Sequence, residues 1–203
     1  MIVWICSYPR SGNTLTRKIL KDCFDIETYT VHGDEAATEH LFENQSKYDI
    51  NDPEVYKKLK ADEKTYYIKS HYIPLDGSPI IHVVRDGRNA VSSFAKLHGV
   101  NVAHVITGQS SGFASWSGHY WGLAGRQNTL LVRFEDLLSD TTAQVDRIGS
   151  FIGAEKKRGF VNDFEPVNDV MGSGGKHQAE FSQYEELLFQ RCHGVVMGVL
   201  GYV

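Results

Sequence analysis

Three short segments contain residue types that can grip and move a charged group. The first, Tyr8-Pro9-Arg10-Ser11-Gly12-Asn13-Thr14, leaves an apolar run and enters a helical pattern. At such a junction it offers successive backbone N–H groups, two hydroxyls and one fixed positive charge at a helix N-terminus, the make-up of an anion cradle. Gly12 allows an anion to approach backbone that a side chain would shield. The second segment, Lys69-Ser70-His71, sets a cation and a base at i and i+2 on the end of an extended run, so both side chains point to the same side. In the third, Arg85 leaves the apolar run Ile80–Val84 and Ser93 lies in the helical pattern beyond it. A guanidinium and a hydroxyl so spaced can meet one phosphate.

Other chemistry competes for the same chain. The first loop lacks the Gly-x-x-x-x-Gly-Lys-Ser/Thr pattern of ATP and GTP cradles, since Asn13 follows Gly12 where lysine would stand. Leu130–Val132 followed by Glu135 and Asp136 imitates a metal-binding strand, which keeps a magnesium-dependent phosphoryl-transfer enzyme as an alternative. Gly108-Gln109-Ser110-Ser111-Gly112 matches the Gly-x-Ser-x-Gly elbow of serine hydrolases, with Asp136 and His177 as candidate partners of Ser110. A nucleotide-binding module without turnover is a further reading. The net charge of −4 gives no general attraction for nucleic acid or an anionic membrane. Cys6, Cys23 and Cys192 are odd in number and lack metal-site spacing, so neither a disulfide framework nor a zinc site is expected. The start of the chain carries no signal-peptide or membrane-span pattern, and a cytoplasmic protein is expected.

These residues need elements to position them. A chain of 203 residues suits one domain, 1–203, around one substantial core. Ile2–Ser7 reads as a buried parallel strand, and Leu15, Ile19, Leu20 and Cys23 recur at helical spacing after it. The polar stretch Asp25–Lys64 is expected to hold one helix, capped by Asp52 with Pro53 at its first position, and to be mobile ahead of it. Further strands are expected at Thr65–Lys69, Ile80–Val84 and Thr129–Arg133. Helices are expected at Arg88–Leu97, Gly112–Gly125 and Thr141–Ile152, with a last one opened by the Ser182/Glu185 capping box. Strands alternating with helices imply an α/β fold with a parallel sheet.

Tyr8 to Leu15 resembles the 5′-phosphosulfate loop, Tyr-Pro-Lys-Ser-Gly-Thr-Thr-Trp, of sulfotransferases that use 3′-phosphoadenosine 5′-phosphosulfate (PAPS). Ile80 to Ser93 resembles that family's 3′-phosphate motif, and Ile68-Lys69-Ser70-His71-Tyr72-Ile73-Pro74 its Lys-Thr-His-Leu-Pro segment. Weaker similarity runs through Trp116–Trp121, Phe134–Leu137 and Leu200–Tyr202. The resemblance implies a three-layer α/β sandwich with a mainly parallel central sheet, of P-loop NTPase-like sulfotransferase architecture. It implies sulfuryl transfer from PAPS to a hydroxyl or amine, with adenosine 3′,5′-bisphosphate (PAP) as product and no metal required. Arg10, Ser11, Gly12, Asn13 and Thr14 inherit the 5′-phosphosulfate site, Arg85 and Ser93 the 3′-phosphate site, His71 the role of base, and Lys69 with Arg10 the balancing of charge.

The chain also departs from the pattern. Arg10 replaces the loop lysine, and Leu15 stands where a tryptophan would stack on adenine, a loss that Phe134 can offset from another side. The late basic glycine loop survives only as Gly172-Ser173-Gly174-Gly175, with Val170 and Met171 at its basic positions, so Gly175 and Lys176 are the candidates there. The acceptor, a small molecule or glycan, is expected to meet Asp25–Lys64 and Asn101–Gly112. Its identity and the oligomeric state are not legible.

Overall fold

A computed structural model describes all residues except 33–40, 43, 111, 162–178 and 203. Five strands form one parallel sheet: β1 (Ile2–Ser7), β2 (Thr28–Thr30), β3 (Tyr66–Ser70), β4 (Ile80–Val84) and β5 (Thr129–Arg133), in the order β2-β3-β1-β4-β5. All six residues of β1 are buried. That explains its unbroken apolar run: a central parallel strand is covered on both faces. Alternate residues serve opposite layers. Val3 and Ile5 join Leu15, Ile19, Val132 and Ile148 on one side, whereas Ile2, Trp4 and Cys6 join Ile68, Leu59 and Leu123 on the other. The sheet is thus the middle of three layers, as the resemblance implied.

The helices are α1 (Asn13–Phe24), α2 (Pro53–Ala61), α3 (Gly87–His98), α4 (Val102–Ile106), α5 (Trp116–Leu123), α6 (Phe134–Ser139), α7 (Thr141–Ile152) and α8 (Gln183–Leu200). The Asp52 side chain accepts from the Glu54 N–H ahead of Pro53, so the α2 start is the expected one. In α8 the Ser182 hydroxyl accepts from the Glu185 N–H while the Glu185 carboxylate accepts from the Ser182 N–H, completing the capping box. α5 is shorter than the expected Gly112–Gly125 because Ser115 caps it, accepting from the Gly118 N–H at 3.2 Å.

Two elements correct the sequence reading. β2 was not foreseen within Asp25–Lys64; it pairs with β3 through Thr28↔Tyr67 and Thr30↔Lys69. Its Thr28 hydroxyl accepts from Nε of Arg17, a fully buried side chain of α1. The expected mobile stretch therefore begins as sheet, and part of the remainder, 33–40, lies outside the described residues. The apolar run Val102–Ile106 is a helix, α4, whose first N–H groups are capped by the Asn101 side chain. A hydrolase elbow needs a strand entering its nucleophile turn, so Gly108–Gly112 lacks that context. His177, the suggested partner of Ser110, lies outside the described residues.

Sheet order fixes where a ligand can sit. Chain connections leave β1 toward β2 on one side and reach β4 on the other, so the sequence order reverses around β1. In parallel open sheets the crevice beyond the strand ends at such a point is the natural ligand site. The loop 8–12, Lys69–His71 at the end of β3 and Arg85 at the end of β4 all emerge there.

Candidate active site

The loop after β1 is shaped by two left-handed residues, Arg10 at φ 67° and Gly12 at φ 101°. At Gly12 a Cβ would stand 2.4 Å from Cδ2 of Phe134, so glycine is required by conformation and by space. The Ser11 N–H donates to the Tyr8 carbonyl, tightening the turn. Asn13 does not reach outward through its amide nitrogen: Nδ2 donates to the Ile5 carbonyl at 3.0 Å and to Ser7 Oγ at 3.2 Å, tying the first turn of α1 to β1. Ser11 Oγ is buried without a hydrogen-bond partner. An orphaned hydroxyl costs about 1–3 kcal/mol, and an anion in the cradle would satisfy it.

Two of the sequence-derived sites are joined. Arg10 Nε donates to Ser93 Oγ at 3.0 Å, and Arg85 Nη1 donates to the Arg10 carbonyl at 3.1 Å. Arg85 and Ser93 are 7% and 8% exposed. Burial lowers the pKa of both guanidiniums, and Arg85 lowers that of Arg10 further by like-charge repulsion. Two cations held close together favour a shared anion, and at Arg85 the Glu135 and Asp86 carboxylates already offset part of the cost of burial. The Arg10–Ser93 link was not legible in the sequence, where the two residues are assigned to different phosphates. The Arg85 guanidinium also rests over the Phe134 ring, 4.7 Å from its centroid.

Phe134 and Leu15, the candidates for adenine contact, both belong to the core beneath the loop. The carboxylate of Glu135 accepts from the Asp86 N–H at 2.9 Å and from the Tyr202 hydroxyl at 2.7 Å. Its two oxygens thus tie the end of β4 to the segment after α8, which removes support from the metal-binding reading. Thr14, at the first turn of α1, is partly exposed; Gly175 and Lys176 lie outside the described residues.

Lys69 is the buried fourth residue of β3, and His71 follows just beyond the strand. His71 Nδ1 lies 2.8 Å from the Ser7 carbonyl. A carbonyl only accepts, so Nδ1 carries the proton and, in the neutral ring, Nε2 keeps its lone pair. Burial and the nearby Lys69 charge hold the His71 pKa well below 6.5, outweighing the bond to Ser7. Both effects favour the neutral imidazole. His32 and Phe113 flank it, with ring centroids 4.8 and 5.5 Å away, and Tyr72 lies against both. Sequence reasoning missed His32 and Phe113, whose roles depend on β2 and on the approach to α5. Behind the loop a small cavity is lined by Tyr8, Ser11, His82 and His119. The Tyr8 hydroxyl and His119 Nε2 are buried without hydrogen-bond partners.

Comparison with known proteins agrees with this arrangement. Residues 2–167 match the model of the sulfotransferase domain. Human and mouse sulfotransferase 4A1 are each 22% identical over 175 residues, covering 74% of this chain and 59% of their own. The chain thus spans well under two thirds of the length of these relatives. Mouse sulfotransferase SULT7A1, complexed with PAP, superposes with a TM-score of 0.67 at 16% identity over 96% of this chain and 83% of its own. The sulfotransferase domain of the Synechococcus PCC 7002 olefin synthase gives 0.52 at 17% identity over 95% and 94%. Among the described residues no helix is long and apolar enough to cross a membrane. With the family model covering the sheet, the anion loop and the paired arginines, this chain belongs to the sulfotransferase domain family.

Proposed function

We propose that the chain transfers a sulfuryl group from PAPS to a hydroxyl or amine of a small-molecule or glycan acceptor. The observation that carries this reading is the Arg10–Ser93–Arg85 cluster, in which half-buried Arg10 bridges the loop after β1 to buried Ser93 and Arg85 at and beyond the end of β4. A donor with phosphates at both ends of its ribose needs two neighbouring anion sites, whereas an ordinary nucleotide uses one. The PAP held by a mouse sulfotransferase of the same fold supports the donor assignment.

When bound, the donor supplies the sulfuryl group and a bisphosphate leaving group. The loop N–H groups and the Ser11 and Thr14 hydroxyls hold its 5′ end, with Gly12 allowing close approach and Asn13 keeping the loop on β1. Arg85 and Ser93 hold the 3′-phosphate. Arg10, bonded to Ser93, reaches both ends and leaves less for the 5′ side than a lysine would. His71 takes the acceptor proton at Nε2 while Nδ1–H remains on Ser7. Lys69 and Arg10 offset charge that grows on the transferred group and bridging oxygen, a preorganised role that needs no rearrangement during transfer. The family resemblance assigns Gly175 and Lys176 to the 3′-phosphate.

Calorimetric binding of PAP beside ADP and ATP with magnesium tests the reading. PAP should bind at least about tenfold more tightly than ADP, since a buried phosphate–guanidinium contact contributes roughly 1.5–3 kcal/mol. Preference for ATP with magnesium would instead indicate phosphoryl transfer. Selective PAP binding with no turnover of PAPS across an acceptor screen would indicate a binding module.

A further inference from the structure

β2 brings a second histidine to the reacting end of the sheet. His32 follows two residues after Thr30, and its own N–H donates to the Thr30 hydroxyl at 3.1 Å. The His71 N–H donates to His32 Nε2 at 2.9 Å. That nitrogen accepts, so in the neutral ring the proton of His32 resides on Nδ1. The two imidazoles face one another at 4.8 Å with a 30° tilt, and Phe113 closes against both rings at 5.8 and 5.5 Å. Ser70 stabilises the same turn from the other side, its hydroxyl accepting from the Tyr72 N–H at 2.9 Å.

His71 lies beyond the last residue of β3, where the sheet ladder no longer engages its N–H. Its backbone is secured by a side chain from another part of the sheet, and its ring by Ser7 on β1. A base whose proton-accepting nitrogen must meet a reacting group gains from such restraint, because a misplacement of about 1 Å can cost about 100-fold in rate. We infer that His32 is a positioning residue for His71: by accepting the His71 backbone N–H and packing on its ring, it holds the imidazole where the Ser7 carbonyl can accept from Nδ1–H, the tautomer that leaves the lone pair on Nε2. This rests on the assignment of His71 as the base. No contact of His32 with donor or acceptor is required.

The test uses the full chain, labelled with nitrogen-15, as wild type, His32→Gln and His32→Ala. Glutamine presents an acceptor oxygen at a reach similar to Nε2, whereas alanine presents none. In the wild type, a scalar coupling across the N–H···N bond should connect the His71 amide nitrogen with His32 Nε2. The ring shifts of His71 should report a single Nδ1–H tautomer. In His32→Ala the His71 amide should exchange with solvent roughly tenfold faster, the loss expected for one hydrogen bond, and its ring should show both tautomers. His32→Gln should restore both signals, with PAP binding unchanged in all three proteins. A His32→Ala protein with wild-type exchange and a single tautomer overturns the inference. If that variant does not fold, absence of the coupling in folded wild type does so alone. The two assignments separate cleanly: His71→Ala that turns over PAPS at the wild-type rate, beside spectra as expected, removes the base and leaves the geometry standing.

Discussion

Replacing Gly12 by alanine should damage stability and donor selectivity together, for a reason visible in the contact it creates. The residue sits at φ 101°, and its new Cβ would lie 2.4 Å from Phe134 Cδ2. A positive φ costs an L-residue roughly 1–2 kcal/mol, and forcing a methyl into a filled core adds about 1–3 kcal/mol. The sum is about 2–5 kcal/mol. For a chain of 203 residues each kcal/mol lowers the melting temperature by roughly 2–4 °C, so a fall of at least about 4 °C is expected. Phe134 cannot yield without disturbing Arg85, whose guanidinium lies over its ring. Loss of that support should weaken PAP more than ADP, because only PAP carries a 3′-phosphate. Thermal melting and paired calorimetric titrations read both effects. A Gly12→Ala protein that melts within about 1 °C of wild type and keeps its ratio of PAP to ADP affinity would refute the reasoning.

Other expectations follow from the same geometry. Arg85→Ala should lower PAP affinity by at least about tenfold while leaving ADP within a few fold, measured by calorimetry; an equal loss for both would remove the 3′-phosphate assignment. Gly87→Pro should destabilise the protein although proline usually suits the first helical position, because a Cβ at Gly87 would stand 2.6 Å from Trp116 and 2.8 Å from Phe189. A melting temperature equal to wild type would contradict that packing. Acid should unfold the chain early. Burial holds His82 at about 3 and His119 and His193 at about 4, against an ordinary 6.5. With folded values depressed, the unfolded chain binds more protons below pH 6.5, so stability present above that value is lost as pH falls through it toward the folded values. At pH 5 the loss is about 2 kcal/mol per ring, and melting curves unchanged between pH 7 and 5 would exclude this account.

The legible parts of the fold were those whose signals are local. β1, β4 and β5 announce themselves as short apolar runs, α1 by apolar periodicity, α7 by its caps Asp140 and Gly153, and α8 by a capping box whose two halves lie three residues apart. β2 escaped because three residues, two of them threonines, carry no apolar alternation; their burial comes from β3 and Arg17. Val102–Ile106 is an apolar run too short for its periodicity to declare a helix, and Asn101 starts one there by capping two N–H groups. Within the candidate site, Arg10, Ser11, Lys69, His71, Arg85 and Ser93 were singled out from residue type, order and the family resemblance. Their connections were not. The bond of Arg10 to Ser93 joins residues separated by 83 positions, and that of His71 to His32 by 39, so each depends on the completed sheet.

The tie between Glu135 and Tyr202 also bears on how the molecule is made. Most of the residues proposed to grip the donor lie in the first half of the chain, yet the end of β4 is fastened from far downstream. Arg88 Nη1 donates to the Tyr202 carbonyl across 114 positions, and the Tyr202 hydroxyl reaches the same Glu135 that holds the Asp86 N–H. Contacts of such long span impose a large loop-closure cost before they return any stability, which slows folding. A chain emerging from the ribosome would therefore carry most of its proposed phosphate-binding residues well before they could be held in one place. On the proposed function, donor binding becomes a late event of synthesis, and PAP would serve as a reporter that the segment after α8 has docked.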